Sequence, residues 1–162
     1  MTKRLFAIAA AVYFFFIAEF VLYNTVGMWG KPELLVLAVI FCNLYWGIRF
    51  GLWAAVVAGL LRDAFGIQPF GTYVFIYIAA AYLTTYIRKN IYQPGSIFSR
   101  AMAAFLVVTG CFILEIVLRL RQHEVRLPEA VCFILMPQLV TTMAAATFVF
   151  QGLRNLAVKL KI

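Results

Sequence analysis

The chain has 162 residues, 65% of them hydrophobic and only 12% charged, with a mean hydropathy of +0.97 and a formal net charge of +8. A soluble domain of this length is nearer half apolar and a quarter charged, so the apolar surplus has to face lipid rather than fill one small core. The basic residues fall in short segments between apolar runs, which is the pattern that orients a membrane protein and argues against a nucleic-acid footprint.

Six apolar runs predict an all-α, polytopic protein with six transmembrane helices, at about 5–26, 32–48, 50–66, 70–88, 98–121 and 128–150, forming a single transmembrane domain over 1–162. A helix needs about 20 residues to cross the hydrocarbon core, and the second and third runs are the shortest. Continuous helix is expected in each, because lipid cannot satisfy exposed backbone polar groups. The first run, within MTKRLFAIAAAVYFFFIAEFVLY, has the charged start of a signal peptide but too long an apolar stretch, so it is expected to be a span.

Pro32, Pro69 and Pro128 stand at the starts of spans, where a missing N–H costs little. The third span carries Gly47, Gly51, Ala55, Gly59 and Asp63 at intervals of four, a small-residue ridge that lets another helix approach closely. That helix could belong to this chain or to a partner. The fourth span holds Tyr73, Phe75, Tyr77, Tyr82 and Tyr86, expected to serve packing and interfacial anchoring. The segment RKNIYQPGSIFSR (88–100) is a basic turn broken by Pro94 and Gly95. In the sixth span Pro137 is expected to kink the helix, with Gln138, Thr141 and Thr142 able to satisfy the freed carbonyl. The tail QGLRNLAVKLKI (151–162) reads as an amphipathic helix on anionic lipid.

With the N-terminus inside, the inner segments hold Lys3, Arg4, Arg49, Arg88, Lys89, Arg100, Arg154, Lys159 and Lys161, and the outer side holds Lys31, Arg62, Arg119, Arg121 and Arg126. Nine bases against five predict that both termini are cytoplasmic. At 1.5 Å per residue Asp63, Glu19 and Glu115 lie about 20, 21 and 22 Å above the inner ends of their spans. Three carboxylates on three spans thus reach one level, with Arg62 and Arg119 as available cations and Glu115–Arg119 spaced as a helical pair. Asp63 has three candidate partners: Arg62, Arg119, or the N-terminal amides of the fourth span.

Cys42, Cys111 and Cys132 each lie in apolar runs without metal-ligand spacing, and His123 in RQHEVR is the only histidine. No phosphate-cradling glycine loop and no nucleophile–base spacing occurs, so neither catalysis nor a cofactor or metal is expected.

KPELLVLAVIF, GLWAAVVAGLLRDAFG and FGTYVFIYIAAAYL together resemble the rod shape-determining protein MreD family. The residues that carry the resemblance are Pro32, Gly51, Gly59, Leu60, Leu61, Asp63 and Gly71, within about 32–88; AFGIQPFG departs from it, since family members more often have Ser or Gly soon after the Asp. The resemblance implies a non-catalytic inner-membrane subunit of the bacterial cell-elongation complex, active in peptidoglycan synthesis and cell-shape control. Its implied partners are an MreC-like bitopic protein, the glycosyltransferase RodA with its transpeptidase, and indirectly MreB. The family is also similar in fold to the six-helix substrate-binding subunits of energy-coupling-factor vitamin transporters, which supplies the alternative of a transporter subunit. A lipid-modifying enzyme would need clustered His or Asp, which the lone His123 does not offer.

Overall fold

The computed structural model describes residues 2–26, 32–66, 68–90, 97–121 and 136–159. Among them are six α-helices and no strand: α1 (Thr2–Val26), α2 (Leu34–Trp46), α3 (Ile48–Phe65), α4 (Thr72–Asn90), α5 (Ile97–Arg121) and α6 (Met136–Lys159). His123, Cys132 and the first part of the expected sixth span lie outside the described residues, as do the side chains of Arg119 and of the tail from Gln151 onward. Two helices, over Leu5–Thr25 and Ser99–Leu118, are long and apolar enough to cross a membrane by themselves, while Leu34–Trp46 and Pro137–Phe150 are shorter apolar helices.

The bundle is organised around α2, which packs against each of the other five helices. Its sequence, LLVLAVIFCNLYW, is apolar on every side, as a fully enclosed helix requires. Every residue from Leu34 to Leu44 is buried. At 1.5 Å per residue α2 is only about 20 Å long. It is therefore the central post of the bundle rather than one of its outer staves, and its first turn starts inside the protein.

The helices alternate in direction. Late α1 meets early α2 (Glu19 to Leu35), late α2 meets early α3 and late α4 (Asn43 to Gly51 and Thr85), and early α4 meets late α5 (Tyr73 to Glu115). One end of the bundle thus gathers Glu19, Glu33, Asp63 and Glu115, and the other gathers Arg49, Arg88, Lys89 and Arg100. The other helices turn helically spaced stripes inward, such as Tyr73, Ile76, Tyr77, Ala80, Ala81, Thr84 and Ile87 on α4.

Residues of the small-residue ridge lie close to neighbouring helices of this chain. A Cβ on Gly51 would meet Asn43 Cβ at 2.7 Å, and one on Gly59 would meet Val74 Cα at 2.5 Å; Ala55 between them is fully buried. Gly47 does not belong to the helical ridge. It is the junction of α2 and α3, at φ +93°, a backbone conformation that favours glycine.

The described sixth helix runs from Met136 to Lys159, with Pro137 in the first turn of that described stretch. It continues without a break from the expected sixth span into the tail as far as Lys159.

Candidate functional site: a buried arginine knot

Near its end α3 carries Arg62, whose guanidinium lies among the starts of α2, α4 and α6 and the later part of α1. It donates to Glu33 as a fork, Nη1 to Oε2 at 2.8 Å and Nη2 to Oε1 at 2.6 Å. Nη1 also reaches Glu19 Oε1 at 3.1 Å and Tyr77 Oη at 2.9 Å. Two protons on Nη1 thus face three acceptors, so one of them is shared. The plane of the guanidinium lies over the Tyr73 ring, with Cζ 4.4 Å from its centroid, a cation–π contact worth about 0.5–2 kcal/mol.

The shell around this core ties in the remaining helices. Gln138 on α6 donates from Nε2 to Glu33 Oε1 at 2.7 Å, and the Glu33 backbone N–H donates to Thr142 Oγ1 at 3.0 Å. Thr142 passes its own proton to the Gln138 carbonyl at 2.6 Å. Glu19 accepts from the Leu35 backbone N–H at 3.3 Å and so supplies α2 with a capping acceptor that its own Glu33 side chain does not. Tyr73 donates to Glu115 Oε1 on α5 at 3.1 Å. One guanidinium thereby links side chains on α1, α3, α4, α5 and α6 with Glu33, the residue just before α2.

The side chains are deep: Arg62 is 12% exposed, Glu19 5% and Glu33 6%. Ion pairs at the surface contribute little, but removing one member of a buried fork strands the others without a partner and is costly. Among the described residues the one buried side-chain polar atom without a partner is Thr109 Oγ1, outside this knot. Beside the knot is a cavity lined in part by Glu33, Tyr73, Tyr77, Cys111 and Glu115, with about 10 Å³ of room, enough for about one water molecule.

Asp63, next to Arg62 in sequence, faces a different task. It accepts from the backbone N–H groups of Gly71 (3.0 Å), Tyr73 (3.0 Å) and Val74 (3.2 Å), and it is buried. The reason is local. Gly71 sits at φ +100°, which favours a residue without a side chain, so the position before α4 cannot provide its own cap. A carboxylate from the preceding helix fills that role. We expect Asp63→Ala to cost about 1–3 kcal/mol, because it orphans amides at the start of α4. Asp63→Asn keeps one oxygen but turns an NH₂ toward a donor, so it should fall between the parent and Asp63→Ala. Thermal unfolding in detergent checks the order; equal loss in both variants would assign the effect to charge instead.

Of the five polar residues singled out in the sequence, Glu19 and Arg62 are in direct contact, Glu115 joins through Tyr73, and Asp63 is engaged separately at the start of α4. The side chain of Arg119 lies outside the description. Glu33, Gln138, Tyr73 and Tyr77 escaped sequence reasoning as members of the cluster, and the two tyrosines are polar partners as well as packing residues. At the opposite end of α2, Asn43 forms a smaller knot. Its Nδ2 donates to the Ala81 carbonyl and to Thr85 Oγ1, and its own carbonyl accepts from Arg88 Nη1 at 3.1 Å.

Fold and site together define an all-helical protein, apolar enough in two helices to cross a membrane and locked by ionic groups buried among its helices. The chain belongs to the rod shape-determining protein MreD family, whose model matches residues 2–158, well beyond the region that carries the sequence resemblance. It is thus a rod-shape-determining membrane protein. No curated protein and no solved structure matches the chain.

Proposed function

We propose that the protein is a non-catalytic subunit of the cell-elongation machinery in the bacterial inner membrane, a six-span scaffold with both termini cytoplasmic. It binds an MreC-like bitopic protein and through it supports RodA, the transpeptidase and, indirectly, MreB during peptidoglycan synthesis. Family membership supports this reading, and so does the use made of the polar groups. Arg62, Glu33 and Asp63 spend their hydrogen bonds on this chain's own helices, and the neighbouring cavity has room for about one water. That is the economy of a rigid strut, whereas a vitamin-binding subunit needs a ligand-sized pocket. Gly51, Ala55 and Gly59 are assigned to internal packing, because α2 and α4 already occupy that face. The partner helix then has to meet another surface, and α1 offers one, with Phe6, Tyr13, Phe14 and Phe20 exposed.

Affinity purification of the tagged full chain from membranes tests the reading. A single-span MreC-like protein should come down with it. Recovery of an ATPase complex instead would establish the transporter alternative, and recovery of neither partner would remove the scaffold role.

A further inference from the structure

The charges are divided between the two ends of the bundle. All four described acidic residues lie at the Arg62 end; the other two, Glu124 and Glu129, fall in sequence between the end of α5 and the start of α6, outside the described residues. The opposite end exposes Arg49, Arg88 and Lys89, with Arg100 half-buried beside them, and no acid among the described residues. Lys3 and Arg4 in the first turns of α1, and Arg154 and Lys159 in the last turns of α6, add to the same end in sequence.

Below this basic end the outward faces of two neighbouring helices change in the same order. On α4, Lys89, Tyr86, Tyr82 and Phe75 are all exposed, at spacings of three, four and seven that place them on one side of the helix. On α3, Arg49, Trp53 and Leu60 are exposed at spacings of four and seven. Reading inward at 1.5 Å per residue, the cation is followed by an aromatic with a polar atom after about 4–6 Å, and by a purely apolar side chain after about 16–21 Å. This is the depth profile of half a bilayer: headgroup, interface, acyl chain.

We propose that this end of the α3–α4 pair carries an anionic-phospholipid site. Arg49 and Lys89 hold the headgroup phosphate, Trp53 and Tyr86 lie along the glycerol and ester region, and Leu60, Tyr82 and Phe75 line the acyl chain. The proposal rests on the membrane placement proposed above. Lipid fits better than an acidic protein because the cations head stripes that become aromatic and then apolar. A soluble acidic partner needs only the charge.

The test uses the full chain in bilayers of three parts phosphatidylcholine to one part phosphatidylglycerol, with native mass spectrometry counting the lipids that survive detergent extraction. The control variant is Arg49→Gln/Lys89→Gln; Arg88 is left alone because it supports Asn43. The parent should retain phosphatidylglycerol in preference to phosphatidylcholine. A basic side chain near an anionic surface contributes about fivefold, so the double variant should lose about twenty-five-fold of that preference at low salt. Its unfolding temperature in pure phosphatidylcholine should match the parent's. No preference in the parent, or an undiminished preference in the variant, overturns the proposal. So does release of the lipid by millimolar inorganic phosphate, which would mark a soluble-anion site, or by polyglutamate, which would mark a protein surface. Cysteine labelling of the C-terminus from outside would instead defeat the topology, so the two failures are distinguishable.

Discussion

Arg62→Met should be the most damaging single change in the protein, costing about 3–5 kcal/mol of fold stability. The loss is not the value of the ion pairs themselves. Methionine removes the donor fork and leaves Glu19 and Glu33 buried at 5% and 6% side-chain exposure, two carboxylates facing one space. Arg62→Lys should be milder but still impaired, since an ammonium keeps the charge while losing the planar fork on Glu33 and the stacking on Tyr73. The informative variant is the triple Glu19→Gln/Glu33→Gln/Arg62→Met. It removes every charge of the inner knot and keeps amide oxygens able to accept from Leu35 and Gln138. It should recover most of the stability lost in Arg62→Met, because a buried ion pair replaced whole is often neutral. Thermal unfolding in detergent, together with membrane yield, checks the order. If the triple variant is as unstable as Arg62→Met, the knot contributes through attraction rather than through the cost of stranding its members.

How much of this could be read in the sequence follows from depth. Glu19, Arg62, Asp63 and Glu115 could be placed at one level because α1, α3 and α5 all rise from the basic end in register. Glu33 was hidden by the assumption that a helix opened by a proline starts at the membrane surface. The thirteen residues of α2 are about 10 Å short of the hydrocarbon thickness, and that shortfall is the signal that its first turn is sunk among its neighbours. Tyr73 and Tyr77 were hidden by ambiguity of role, since a tyrosine at an apolar helical position packs equally well with or without a partner for its hydroxyl. Gln138 and Thr142 read in sequence as neighbours of Pro137, and nothing in their spacing points to Glu33, more than a hundred residues away. The ridge on α3 is legible as close packing, but spacing alone does not say that Gly51 lies against Asn43 and Gly59 against Val74.

Gly59→Ala should destabilise the protein even though alanine is the better helix former by about 1 kcal/mol. The new Cβ would sit 2.5 Å from Val74 Cα and 2.8 Å from Val74 N, and backbone cannot rotate out of the way as a side chain can. Overpacking of this kind costs about 1–3 kcal/mol, which is enough to outweigh the propensity gain. Gly110→Ala is the matched control. Its Cβ would meet only the end of the Leu83 side chain, Cδ2 at 2.8 Å, which a rotamer change relieves, so it should be near neutral. The Gly59 contact also has a consequence at the knot's border. Val74 is one of the three residues whose N–H is held by Asp63, at 3.2 Å, so forcing α3 and α4 apart at Gly59 lengthens the same bond that Asp63→Ala deletes. Two changes that spend one hydrogen bond cannot each be charged for it in full. Gly59→Ala/Asp63→Ala should therefore lose less stability than the sum of the two single losses. Simple additivity in detergent unfolding would show that the α3–α4 contact and the cap on α4 act independently, and that the turn is not held as one unit.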